Sequence, residues 1–185
     1  MTAIRAFRFL FVLLAGLSAL SGAAYAASKE KIDRRTNEAL SEFREDIGGA
    51  DEVLARAKGV LVFPLIRKGG IGIGGEYGQG ALRIGGETAA YYSTAAASIG
   101  LQFGGQSRRQ IIVFLDQGAL DKFRSSQGWE IGVDASVAVV TLGAGGAIDT
   151  TQLNQPIVAF VFDNKGLMYN LSLEGSKISQ IHDDD

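Results

Sequence analysis

The side chains most able to do chemistry are few in this sequence. Its 185 residues include one histidine, His182, and no cysteine. Without cysteine there is no thiolate nucleophile, no disulfide and no thiolate-bound zinc. His182 stands beside Asp183, Asp184 and Asp185, a poor setting for a buried Ser-His-Asp triad or a multi-histidine metal site. Ser98 and Ser136 therefore lack a histidine to activate them. Glu76, Asp116, Asp134 and Asp149 fall in or near strand-like segments, where two carboxylates could serve a hydrolase, yet no spacing singles out a pair. Gly70, Gly72 and Gly75 spell G-x-G-x-x-G, but Glu76-Tyr77-Gly78-Gln79-Gly80 follows where a dinucleotide site needs a helix. Asp163-Asn164-Lys165-Gly166 has the start of a calcium loop without its later acids, and reads as a turn. No catalytic residue, metal-ligand set or cofactor motif emerges.

The cations are better grouped. Lys29, Lys31, Arg34 and Arg35 crowd one helical segment, while Arg67-Lys68 and Arg108-Arg109 sit beside glycines at strand junctions. Such clusters next to apolar faces can hold lipid phosphates at a membrane surface. They are local features, because the net charge is −2 for the chain and −4 for residues 27–185. There is no general basic field for nucleic acid.

The elements that must position these groups follow from periodicity. Arg5 and Arg8 precede an apolar run from Phe9 to Leu20, and Ala24-Tyr25-Ala26 supplies a small-x-small step. This pattern predicts a cleaved signal peptide over 1–26 and an exported, periplasmic or secreted chain from residue 27. The remainder is long enough for one domain with a real core. Residues 29–47 predict an amphipathic helix with Ile32, Thr36, Ala39, Leu40, Phe43 and Ile47 on one face. Gly48 and Gly49 stop it, and a second short helix follows near Asp51.

From Gly59 the pattern turns to strands. Val60 to Ile66 is apolar and β-branched, with Pro64 marking a bulge or an edge; Arg67-Lys68-Gly69-Gly70 reads as a turn. Further strands are expected at 71–84, 88–94, 96–103, 109–115, 131–141, 156–163 and 166–173, the last two as a hairpin through 163–166. Gly118 to Arg124 is the one helical insertion. Twelve of the 37 positions from 69 to 105 are glycine, many inside strands, where each costs about 0.5–1 kcal/mol relative to alanine. Close backbone approach in a strongly bent sheet is the favoured reason, backbone amides meeting a ligand the other. The fold class is α+β: N-terminal helices, then a mainly antiparallel, strongly bent, glycine-rich sheet.

Several ordered blocks resemble a known family. They are Ala57-Lys58-Gly59-Val60-Leu61-Val62-Phe63-Pro64, Lys68-Gly69-Gly70, Gly72-x-Gly74-Gly75-x-Tyr77-Gly78, and Tyr91-Tyr92 with Ser98 to Gln106. Ala119-Leu120-x-x-Phe123, Gly132 to Val139 and Gly166 to Ile178 add to them. Together they are similar to the SYLF (Ysc84-type) lipid-binding domain over roughly residues 35–180. The resemblance implies phospholipid binding assisted by an amphipathic N-terminal helix, and actin binding in some eukaryotic members. The export signal argues against cytosolic actin and phosphoinositides as ligands here.

The resulting expectation is a non-enzymatic module, without cofactor or metal, that binds anionic phospholipids at an envelope membrane surface. Lys31, Arg34, Arg35, Leu40, Phe43, Arg67, Lys68, Arg108 and Arg109 are the candidate lipid contacts, with Ile32, Leu40 and Phe43 offered to acyl chains. The alternatives are a small membrane-associated β-rich scaffold and a carboxylate-based hydrolase.

Overall fold

The structure, a computed structural model, describes residues 28–143, 145–149, 154–166, 173 and 175–182. The expected signal peptide and most of the expected strand 166–173 lie outside them. The chain divides into two units, Met1–Lys31 and Ile32–Asp185. In the first, residues 28–31 are helical. The second carries the rest of the fold.

Helix α1 covers 32–46 of that second unit. Its three- and four-residue steps bury Ile32, Thr36, Ala39, Phe43 and Ile47, as the periodicity predicts. The chain then breaks at Gly49, whose φ of 83° suits glycine, and α2 runs Ala50–Arg56. Two long strands follow, β1 (Gly59–Ile84) and β2 (Glu87–Phe114), joined by Gly85 and Gly86, both at positive φ as a tight hairpin turn requires. Helix α3 (Gln117–Ser125) starts at Asp116, whose carboxylate accepts the Ala119 backbone N–H at 2.9 Å, and buries Leu120 and Phe123. Short strands β3 (Trp129–Glu130) and β4 (Ala138–Thr141) precede β5 (Ile157–Gly166) and β6 (Lys177–Gln180).

Among the described residues these make one six-stranded sheet in the order β3-β6-β2-β5-β4, with β1 on the other edge of β2. All pairings are antiparallel except β4 with β5. The α+β class therefore holds. The strand boundaries do not. Arg67 to Gly70 continue β1 instead of turning, three expected strands merge into β2, and of expected strand 131–141 only β4 forms, after a turn at 132–134, while β3 ends before it at Glu130. Asp163 to Gly166 continue β5. A bulge there, with Asp163 at φ 52°, takes the place of the expected hairpin turn. Pro64 does what its missing N–H demands: β1 is an edge strand, and its register shifts between Phe63 and Ile66.

The hairpin curls until its far half lies over its near half. A Cβ at Gly80 would stand 2.0 Å from the Val62 carbonyl oxygen, and one at Gly78 2.9 Å from that of Leu65. Close backbone approach is thus the reason for these two glycines. The curl leaves apolar residues on both faces of the sheet. Leu61, Phe63, Ile112, Phe114, Ala159 and Val161 pack inward with Trp129 and α3, while Val60, Val62, Ile111, Val113, Val158 and Phe160 pack under α1 and α2. Phe123 meets Tyr92, Phe114 and Trp129 with ring centroids 4.9 to 5.4 Å apart.

Tyr92 has a pH consequence. Burial raises its phenol above the ordinary value, with the Arg124 charge pulling the other way. An unfolded tyrosine ionises near about pH 10, so above that pH the folded protein holds more protons and loses stability as pH rises. Urea midpoints on the alkaline side are expected to fall less steeply for Tyr92→Phe than for the parent.

Candidate functional site

Three bulged segments meet on the face that carries α1. Next to the shift at Pro64 and Leu65 in β1, β2 and β5 change register between Ser107 and Arg109, opposite Asp163. Bulges re-aim side chains, and here they bring Arg35 and Glu38 of α1, Arg109 of β2 and Lys165 of β5 around a cleft of about 200 Å³. Pro64 and Leu65 form an apolar wall, and Ser107 lines the cleft between strands. The registers Arg67↔Ser107 and Ser107↔Lys165 set these three residues in one row across β1, β2 and β5.

The charges are unevenly paired. Arg109 is held between Glu42, which its Nη1 meets as an ion pair, and Asp163, 3.3 Å from its Nε. Lys165 Nζ also reaches Asp163, at 3.1 Å. Arg34 and Glu38 are 4.0 Å apart and both exposed, a pair of little energetic weight. Arg35 and Arg67 are exposed and Lys68 half-exposed, and none of the three has an ion-pair partner among the described residues. Lys31 is exposed in the first unit.

Three expected contacts are placed otherwise. Lys68 follows Arg67 in β1 and pairs with Gln106, so it faces the opposite side of the sheet from the row of Arg67, Ser107 and Lys165. Phe43 is fully buried, its ring 5.4 Å from those of both Phe160 and Phe162. With Ile32 also buried, the apolar face of α1 is spent on the sheet; only Leu40 remains half-exposed. Burying an aromatic ring against a ready apolar face stabilises by about 1.5–3 kcal/mol, which decides where Phe43 goes. Arg108 borders the cleft, but its side chain alternates with that of Arg109 to the opposite face of β2 and is 3% exposed. Its Nη1 and Nη2 donate to Glu76 Oε2 and Oε1 at 2.8 and 2.9 Å, and Ser176 Oγ lies 3.3 Å from Oε1. Because Glu76 belongs to the far half of β1, this bidentate pair clamps the curl. Sequence reading found the cation but missed its partner, 32 residues away.

The acids weighed for hydrolysis are also engaged. Glu76 holds Arg108, Asp116 caps α3, and Asp134 accepts the Glu130 backbone N–H at 2.7 Å.

Residues 95–185 match a family model described as Ysc84, Las17-binding protein actin regulator. Over this segment the chain is similar to the Ysc84 family. The Ysc84 segment contains Ser107, Arg108, Arg109, Asp163 and Lys165, whereas Arg35, Arg67, Lys68 and Glu76 precede it. The match is narrower than the 35–180 over which sequence blocks resemble the family. The Ysc84 match points to a binding role, lipid- or actin-related. No curated protein matches the chain.

Proposed function

We propose that this chain is an exported, non-enzymatic phospholipid-binding domain that rests on an anionic membrane surface. The observation that supports the reading most is a pair of exposed cations with no ion-pair partner among the described residues: Arg35, which lines a bulged cleft with an apolar wall, and Arg67, in the strand row of that cleft's Ser107. Each basic side chain held near an anionic leaflet contributes about 1 kcal/mol, and salt screens it within about 10 Å at 0.1 M. Lipid phosphates approach Arg67 and Arg35, while the half-buried Leu65 touches the headgroup region. Arg109 and Lys165 hold the cleft open in shape through Asp163 and Glu42. Helix α1 acts here through its charged flank, its Phe43 face being occupied. Actin regulation, which the family description names, is the less favoured reading because the apolar, Arg-led start of the chain suits export.

The test is sedimentation of the full chain with phosphatidylglycerol vesicles. Arg35→Glu with Arg67→Glu is expected to weaken binding about 30-fold or more, since both attractions become repulsions. Equal sedimentation of parent and double variant would contradict the reading.

A further inference from the structure

A second concavity lies on the other flank of α1 and has a different character. It is a groove of about 580 Å³, within the range of about 300–1,000 Å³ usual for small-molecule sites. Its floor is apolar: Leu40 of α1, Leu54 and Ala57 at α2, and Val60 at the start of β1. Leu40, Leu54 and Ala57 are half-buried and flank the core under α1 without being sealed into it.

The rim is cationic. Arg44, Lys58 and Arg83 line the groove, and no Asp or Glu does so among the described residues. Arg44 lies 3.4 Å from Asp51 and Arg83 lies 3.3 Å from Asp33, but both acids sit outside the lining. Lys58 is exposed and has no ion-pair partner among the described residues. Its backbone N–H donates to the Phe114 carbonyl at 2.8 Å, which fixes the mouth of the groove to the sheet. The Asn37 carboxamide oxygen accepts from Arg83 Nη2 at 2.8 Å, tying the hairpin end to α1 and closing the other wall.

An apolar floor under a rim of one sign complements an anionic amphiphile. We propose that this groove takes one acyl chain of an anionic phospholipid, with its phosphate at Lys58 and the neighbouring guanidinium groups. The inference rests on the lipid-binding reading and deepens it, because a chain held in a groove is lifted from the bilayer. Surface adhesion alone needs only the cations around the bulged cleft. Charge complementarity selects an anionic headgroup over a zwitterionic one, and the half-buried leucines supply affinity for the chain.

The experiment uses the full chain and a single-chain probe, lysophosphatidylglycerol below its micelle concentration, followed by titration calorimetry. The expected result is one-to-one binding, about tenfold weaker for lysophosphatidylcholine and about tenfold weaker for Lys58→Glu, each equal to about 1.4 kcal/mol. Lys58 is exposed, so that variant should melt like the parent, and Leu54→Asp should also lose the monomer. Sedimentation with phosphatidylglycerol vesicles, without uptake of the monomer, would overturn the groove and leave the surface reading standing. Failure to bind either form would overturn both. Equal binding of the two lysolipids, indifferent to Lys58→Glu, would overturn the headgroup assignment.

Discussion

Gly80→Ala is expected to destabilise the domain by about 3 kcal/mol or more, at or above the upper end of ordinary overpacking. The added methyl would stand 2.0 Å from the Val62 carbonyl oxygen and 2.8 Å from Phe63 Cδ1. A side-chain tip could swing aside, but a carbonyl in a paired strand moves only if β1 moves. Stabilities of about 5–15 kcal/mol make such a loss visible as a large drop in urea midpoint at unchanged slope. Gly69→Ala is the contrasting case within the same strand. Its Cβ would meet nothing within 4 Å, so removing backbone freedom from the unfolded chain should leave stability equal or slightly raised. Equal, small effects at both positions would mean that the curl does not depend on close approach.

Removing either partner of the Arg108–Glu76 pair should cost about 3–5 kcal/mol, because the survivor is left charged and buried. Glu76 is 8% exposed and Arg108 3%, so water reaches neither well. Glu76→Gln keeps the shape and removes the charge; Arg108→Leu leaves the carboxylate alone. The double variant Glu76→Leu with Arg108→Leu should recover most of the loss, since apolar replacement of a whole buried pair is often neutral or better. A thermodynamic cycle from urea titrations measures this, with a coupling of several kcal/mol expected. Single variants that each cost less than about 1 kcal/mol would place the pair among surface contacts in energy.

Sequence reading found what is local and lost what is distant. The spacing of Ile32, Ala39 and Phe43 defines α1, Pro64 announces its bulge, and Leu120 with Phe123 marks α3, because each depends on neighbours within a turn or two. Arg67 to Gly70 has the composition of a turn, yet both sides pair with β2 through Ser107 and Gly104, and the ladder overrides the local preference. Asp163 reads as a turn residue for the same reason and becomes a bulge once Arg109 and Lys165 fix the register on either side. The parallel pairing of β4 with β5 leaves no mark in a short strand such as Ala138–Thr141.

The candidate site shows the same division. Arg35, Arg67, Lys68, Arg108 and Arg109 are visible as cations in the sequence, but which are free depends on partners far along the chain. Arg108 finds Glu76 through the curl, and Arg109 finds Glu42 and Asp163 through α1 and β5. Lys165, visible only as part of an expected turn, joins the row because β5 runs on past it. An amphipathic helix signals that one face will be covered, not by what. For Phe43 the cover is Phe160 and Phe162.

Partition of the unmodified chain between buffer and vesicles is the most direct measurement, with phosphatidylglycerol and phosphatidylcholine vesicles compared at low and high salt. Firm attachment to the anionic vesicles that weakens as salt rises, with little attachment to the neutral ones, is the outcome the account predicts. A chain that stays in the buffer with both would contradict it.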